Sequence, residues 1–338
     1  LNGWINLSNE TRDKFLELYN KGDLSQKEAI NVGMNIETLK RRLREWRKYK
    51  ENKLLENYAW IPDSPTHDYD KKFIHVGDDF VVISDIEIPD HDPAMLQAAL
   101  LVGMEQNIKT LIIAGDFIAT DNDPLNSWPQ TYAEKSTTFE ESLELASQIL
   151  DKFSSWFDTI YIISGNHDER IARITGGEVW YGMLLKQASK KENKSIQYSR
   201  YPYMYVETKR GVIYICHQEN YSQTPIKLAQ AIYCTENGPY FDPRSNLSRS
   251  DKCHIIITHT HLVQSGFSPD GYRECYGIGT CRDPMKTKYI MVAANKHYKW
   301  NQGFLYVKRG YFHPLCRRTT DWEYILGSHA KDAEILDT

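Results

Sequence analysis

Five short β-branched runs in this chain each lead directly into residue types that bind metals, and this ordered series constrains the fold more than any other feature. Phe80–Ser84 leads into Asp85-Ile86-Glu87, and Thr110–Ile113 into Gly115-Asp116. Thr159–Ile163 is followed by Gly165-Asn166-His167-Asp168, Val212–Ile215 by Cys216-His217, and His254–Thr258 by His259-Thr260-His261. Polar helical stretches such as Pro93–Glu105 and Phe139–Phe157 lie between the runs, the alternation of a largely parallel, buried sheet core. In α/β folds ligands collect at the carboxyl ends of strands, where loops begin. Each motif alone is weak, since a single Asp after a strand is usually a helix cap and a single His usually a satisfied core residue. His-x-His is stronger, because alternate residues of an extended segment point the same way. The conjunction of all five, in order, predicts a metal site.

The first fifty residues read differently, as three helices. Glu10 to Lys21 carries Phe15, Leu16 and Tyr19, and Gly22 supplies a left-handed C-cap. Ser25 caps a short helix through Val32, with Glu28 as its capping-box partner. The third helix, Ile36 to Lys48, sets Ile36, Leu39, Leu43 and Trp46 on one stripe, with Lys40, Arg41, Arg44, Arg47 and Lys48 opposite. Ala29, Gly33 and Leu39 are spaced as in a helix-turn-helix, a motif whose second helix enters the DNA major groove. A solvated amphipathic helix or a dimerisation arm is the plainer reading of the same pattern.

Charge supports the nucleic-acid reading only locally. The chain of 338 residues has a net charge of −4, yet Ile36 to Lys53 holds eight Lys or Arg against three Glu. No apolar run approaches the roughly 20 residues that span a bilayer, and the start at Leu1 lacks the basic, apolar pattern of a signal peptide. The six cysteines form no CxxC pair, so neither a zinc ribbon nor a disulfide framework is expected, and the reducing cytoplasm is the default compartment. The expected organisation is a helix-turn-helix domain at 1–50, a linker at 51–79, a catalytic domain at 80–325 and a C-terminal tail at 326–338. The later part, with Tyr289–Val292 and Phe304–Val307, is expected to be richer in strands.

From Phe80 onward the sequence resembles the calcineurin-like metallophosphoesterase family, whose pattern runs Asp-x-His, Gly-Asp-x-x-Asp, Gly-Asn-His-Asp/Glu, a single His, then Gly-His-x-His. It is similar to the versions carried by bacteriophages and prophages, through Pro89, His91 and Asp92 and through Trp300-Asn301-Gln302-Gly303-Phe304. The resemblance implies an α/β fold, a four-layer α-β-β-α sandwich, here behind a small all-α domain, and a phage-host cytoplasm. It implies two divalent metals bridged by Asp116, one also held by Asp85, Glu87 and His261, the other by Asn166, His217 and His259. Such mixed ligation suits Mn²⁺ first, with Fe or Zn²⁺ as alternatives. His167 is then the phosphate contact or general acid, Asp168 its orienting partner, and Arg170 a phosphate contact or a surface ion pair.

Three departures from the pattern stand out. Glu87 takes the place of a histidine, with His91 a possible substitute. Ala119 takes the place of an aspartate, which Asp121 or Asp123 replaces only if the loop rearranges. Thr258 takes the place of a glycine. The leading reading is a metal-dependent phosphodiesterase acting on nucleic acid, DNA first, with no membrane partner. The rivals are a phosphatase for a protein or small phosphoester, and a DNA-binding or structural protein whose hydrolase site has decayed.

Overall fold

The protein is described by a computed structural model, covering residues 4–57, 74–119, 137–188, 196–217, 222, 224–234, 253–286 and 300–336. The expected strand Tyr289–Val292, the candidate carboxylates Asp121 and Asp123, and linker residues 58–73 lie outside these. The chain divides into two units, Leu1–His67 and Asp68–Thr338.

The first unit is helical for local reasons. Helix α1 (Asn9–Lys21) begins where Ser8 Oγ accepts the Thr11 N–H at 3.2 Å and ends at Gly22, φ 80°. In front of α2 (Gln26–Asn31), Glu28 accepts the Ser25 N–H at 2.9 Å. The chain turns at Gly33, φ 68°, with the Met34 N–H returning to the Ala29 carbonyl at 2.9 Å. Asn35 Oδ1 then accepts the Thr38 N–H at 2.7 Å, starting α3 (Ile36–Asn57), which runs well past Lys48. Ala29, Leu39 and Leu43 are fully buried, with Phe15, Leu16 and Tyr19 packed on them. Arg41, Arg44, Arg47 and Lys48 are exposed and Lys40 half-buried. Lys40 pairs with Glu37 (3.1 Å) and Arg47 with Glu51 (3.9 Å) along their own helix. Exposed pairs of this kind are worth little, so they leave the basic face open to stronger anions.

Among the described residues the second unit holds two six-stranded sheets. In one, β2 (Phe80–Ile83), β3 (Thr110–Ala114), β4 (Thr159–Ile163) and β5 (Ile196–Tyr198) run parallel. Beyond β2, β11 (Gly303–Lys308) and β12 (Tyr311–Cys316) continue that sheet antiparallel. The other sheet is built from β1 (Ile74–Val76), β6 (Tyr203–Thr208), β7 (Gly211–Cys216), β8 (His254–Ile257), β10 (Glu274–Gly277) and β9 (Gln264–Phe267), in that spatial order. The expectation of a largely parallel core holds for β2 to β5 and for β7, β8 and β10. The β6–β7 and β9–β10 pairs are antiparallel, because short turns return the chain directly.

Strand alternation explains why these runs are apolar throughout. Phe80, Val82, Ile112, Ala114 and Ile163 face Met204, Val206, Ile213, Ile215 and Ile256 of the other sheet. Val81, Ile83, Leu111, Ile113, Ile160 and Ile162 face the helical side, with α4 (Pro93–Glu105) and α5 (Phe139–Ser154). The second sheet presents Tyr205, Val212, Ile255 and Ile257 to α8 (Pro225–Cys234). Between α5 and α8 the chain forms α6 (Asn166–Ile174) and α7 (Tyr181–Ala188), and a short α9 (Trp322–Leu326) follows the last strand. Residues 326–338, expected as a tail, are packed where described: Leu326, Ala333 and Ile335 are buried in the cluster that includes α4. Among the described residues no helix is long and apolar enough to cross a membrane.

His254 opens β8 almost fully buried, its Nδ1 accepting the Glu274 N–H at 3.1 Å. Burial, reinforced by Arg273 and Arg210 against Glu274, lowers its pKa from 6.5 to about 4. The unfolded histidine therefore binds a proton that the folded one refuses. Stability is complete above about pH 6.5 and falls as pH drops toward 4. His254→Asn keeps an acceptor for Glu274 without titrating and is expected to flatten that fall. Urea midpoints at about pH 7 and about pH 4.5 measure it. An equal drop in both proteins would clear His254 of responsibility.

Candidate metal centre

The loops after β2 and β3 continue the hydrogen bonding of their strands. The Asp85 N–H reaches the Gly115 carbonyl at 3.1 Å and the Glu87 N–H the Asp116 carbonyl at 3.0 Å, so the carboxylates are carried side by side. From the other sheet, His217 Nδ1 lies 3.1 Å from the Ala114 carbonyl, and Thr258 Oγ1 donates to the same oxygen at 2.9 Å. That one carbonyl ties the two sheets together at their carboxyl ends.

Two ligand groups result: Asp85, Asp116, His217 and His259, and Asp85, Glu87 and His261, with the donor atoms of each within 4.8 Å of one another. Asn166 joins the first group, its Oδ1 3.0 Å from His217 Nε2. All seven expected ligands are thus brought together. Asp85 falls in both groups and Asp116 in the first. Asp85 Oδ1 lies 3.0 Å from His261 Nε2, while Oδ2 takes the Ser84 hydroxyl (2.6 Å) and the His259 N–H (3.2 Å). Asp116 is drawn instead toward the His167 N–H (2.8 Å) and His217 Nε2 (3.1 Å).

The backbone is bent to make this possible. Asp85, Glu87, Asp116, His259 and His261 all have positive φ, between 49° and 75°. A left-handed backbone costs a non-glycine residue about 1–3 kcal/mol, and five such residues meet here. Two glycines complete the fit. A Cβ on Gly165 would meet the Asp116 N and Oδ1 at 2.1 Å, and one on Gly115 would meet His217 Nδ1 at 2.3 Å.

The electrostatics call for cations. Burial disfavours a charged His217, yet the Asp116 carboxylate, with Asp85 behind it, raises its pKa to about 10. Burial, with His217 beside it, lowers that of His259 to about 4, which keeps that ring a neutral donor. His259 Nδ1 is buried and has no hydrogen-bond partner among the described residues. A buried imidazole nitrogen without a hydrogen-bond partner, on a histidine grouped with the Asp85 and Asp116 carboxylates, suits an N/O-ligated divalent metal, so the residues fit the group.

Around this core the other expected site residues divide. His167, 13% exposed, has Nε2 3.9 Å from Asp116 Oδ2 and 3.4 Å from an Arg170 nitrogen, and Nδ1 3.9 Å from Glu87 Oε2. Asp168 does not orient that ring. Its carboxylate accepts the backbone N–H groups of Phe117 and Ile118 (3.2 Å each) and Gly165 (2.9 Å), because its place at the start of α6 turns it onto the β3 loop. Burial, then the charge of Asp116, raises its pKa to about 7 against those three donors. Arg170 is the side chain beside His167. His91 belongs to neither ligand group. Lys40, Arg41, Arg44, Arg47 and Lys48 belong to the other unit.

Sequence reading missed Arg282, which is 2% exposed and bonds both Glu87 and Asp90. It lies far along the chain from Glu87, and no local pattern marks it. Trp300 was noted only as part of a motif; its ring packs edge-on against His261 at 4.1 Å between centroids. Gln302 of the same motif donates to Asp92 at 2.5 Å, joining the two motifs in space.

The model of the calcineurin-like phosphoesterase family matches residues 79–284, more than half of the chain. The protein belongs to that family. No curated protein matches the sequence. Among solved structures, the phosphoesterase Yfce from E. coli is 16% identical, with 68% of this chain and 88% of that one covered and a TM-score of 0.36. A protein of Thermus thermophilus is 8% identical over 70% of this chain and 98% of that one, TM-score 0.34. The Pseudomonas putida nuclease MPE is 13% identical over 70% and 87%, TM-score 0.27.

Because Asp85 serves both groups, Asp85→Asn is expected to weaken the uptake of two metal ions, and His261→Ala of one. Each loss should exceed the roughly 10–100-fold typical of an outer-shell partner. Metal content after equilibration with limiting Mn²⁺ checks this; equal losses in the two variants would reject the shared role of Asp85.

Proposed function

We propose that this calcineurin-like phosphoesterase is a metal-dependent phosphodiesterase, nuclease-like, that hydrolyses phosphoester bonds in DNA. One observation carries the chemical half of the reading: the two ligand groups share a carboxylate, and His167 and Arg170 sit at their edge. In this reading Asp85, Glu87 and His261 would hold one divalent ion and Asn166, His217 and His259 the other, Mn²⁺ first, with Asp85 and Asp116 between them. Two such ions, when bound, would supply positive charge to the phosphate and lower the pKa of water.

The protein's own groups do the rest. Arg170, whose guanidinium lies 3.4 Å from His167 Nε2, turns to a phosphate oxygen and so frees that nitrogen to carry a proton. As water attacks phosphorus and the bond to the leaving oxygen breaks, His167 Nε2 gives that oxygen a proton and later regains one from solvent. His167 Nδ1 is buried near Glu87, so Nε2 is the nitrogen suited to this transfer. Asp168 holds the β3 loop against the start of α6 and so keeps Asp116 and His167 at a fixed separation. The substrate half rests on α3, whose exposed Arg41, Arg44, Arg47 and Lys48 form one basic face on a helix of helix-turn-helix spacing.

Two measurements test these halves separately. His167→Ala is expected to keep its metal while turnover of an ordinary phosphodiester falls about 10²–10⁴-fold. The fall should be smaller on an activated nitrophenyl ester, whose leaving group needs no proton. Loss of metal in that variant would make His167 a ligand and end its role as the acid. Duplex binding should weaken steeply with salt, because each Lys or Arg contact releases counterions. Deleting residues 1–50 should lower DNA affinity and spare a small phosphodiester. Undiminished binding by the truncated protein would favour the phosphatase reading.

A further inference from the structure

Glu87 brings a third negative charge to a centre already holding Asp85 and Asp116, and one buried cation answers it. Arg282 Nη1 donates to Glu87 Oε2, and Nη2 to Asp90 Oδ2 at 2.7 Å. The arginine is held on its own backbone as well. Its N–H donates to Thr280 Oγ1 at 2.9 Å, its carbonyl accepts from Gln302 Nε2 at 3.1 Å, and it forms a bridge with His91. The two oxygens of Glu87 therefore face different ways. Oε2 belongs to the guanidinium, while Oε1 lies 3.4 Å from His261 Nε2, on the side of the ligand group with Asp85.

We propose that Arg282 is a positioning residue for the metal held by Asp85, Glu87 and His261: it occupies Oε2 and cancels its charge, so that Glu87 offers the ion one donor atom. A free carboxylate at this position chelates through both oxygens and adds a full negative charge. Clamped by a guanidinium, it has the donor count and net charge of a neutral imidazole. The planar fork of arginine suits the task, because it engages Glu87 and Asp90 at once in a fixed geometry that a lysine does not reproduce. Glu87 and Arg282 then act as one unit. Removing either partner leaves a buried charge unanswered, while removing both removes the problem.

The proposal rests on the metal-centre reading above, and one experiment separates the two. Metal-stripped wild type, His261→Ala, Glu87→His, Arg282→Met and the double variant Glu87→His/Arg282→Met are titrated calorimetrically with Mn²⁺. Urea midpoints are recorded alongside. Wild type is expected to show two binding events, of which His261→Ala lacks one and so identifies it. At that position Arg282→Met should bind roughly tenfold or more tighter, because a neighbouring positive charge is gone. Glu87→His should bind roughly tenfold or more weaker, facing an arginine without its carboxylate. The double variant should return to within about threefold of wild type, a coupling that independent residues do not show. If Arg282→Met fails to fold, Glu87→His and the double variant still decide, since neither leaves Glu87 unpaired.

A purely structural Arg282 would lower the urea midpoint and leave Mn²⁺ affinity unchanged, which overturns the proposal. So would a double variant no better than Glu87→His. A wild-type protein with a single Mn²⁺ position that survives His261→Ala would mean that Arg282 stands in for the ion, which also overturns it. Wild type that binds no Mn²⁺ would defeat the metal-centre reading itself.

Discussion

Two carboxylates, Asp85 and Asp116, are buried where the two sheets meet, and the rest of the centre follows from the need to balance them. Neither side chain reaches water to any useful extent, and an unpaired buried charge is among the most costly features a fold can carry. The surrounding residues answer with donors from every direction: the Ser84 hydroxyl, the backbone N–H groups of His259 and His167, and the rings of His217 and His261. The raised pKa of His217 expresses the same need, because the Asp116 carboxylate beside it favours positive charge on the ring.

Holding that charge in place requires a backbone that strands do not adopt by themselves. The left-handed turns at Asp85, Glu87, Asp116, His259 and His261 end the strands abruptly and aim successive donors at one point. The cost is borne because the strands beneath are buried on both faces and will not shift to relieve it. Asp168 contributes to the same rigidity. It gathers three backbone N–H groups from two loops that the sequence separates by some fifty residues. Its position beside His167 in the chain suggested a catalytic partner, but in space it fastens the loops that carry Asp116 and His167.

Glu87 adds a carboxylate to the group that Asp85 and His261 form. A carboxylate there raises the negative charge, and the buried Arg282, held also by Asp90, answers it. The motifs around Asp92 and Trp300 take on a physical meaning alongside it. Asp92 caps α4 and accepts from Gln302 and Arg317, and Trp300 packs on His261. These contacts anchor the strand β11 side of the sheet to the first ligand loop.

What the sequence determined alone was whatever depends on near neighbours. The capping box at Ser25 and Glu28, the turn at Gly33, the limits of α4 and the five strand-end motifs each follow from side-chain period or from a contact three or four residues away. All seven ligand candidates were legible for that reason, because each stands just after its own apolar run. What only the tertiary structure decided depends on which strand lies beside which. The antiparallel pairs within both sheets, the packing of Leu326, Ala333 and Ile335 on the helical face, the shared place of Asp85 and the pairing of Glu87 with Arg282 all join residues far apart in the chain. Sheet order brings such residues together, and no local pattern of charge or hydrophobicity encodes the approach of one strand end to another.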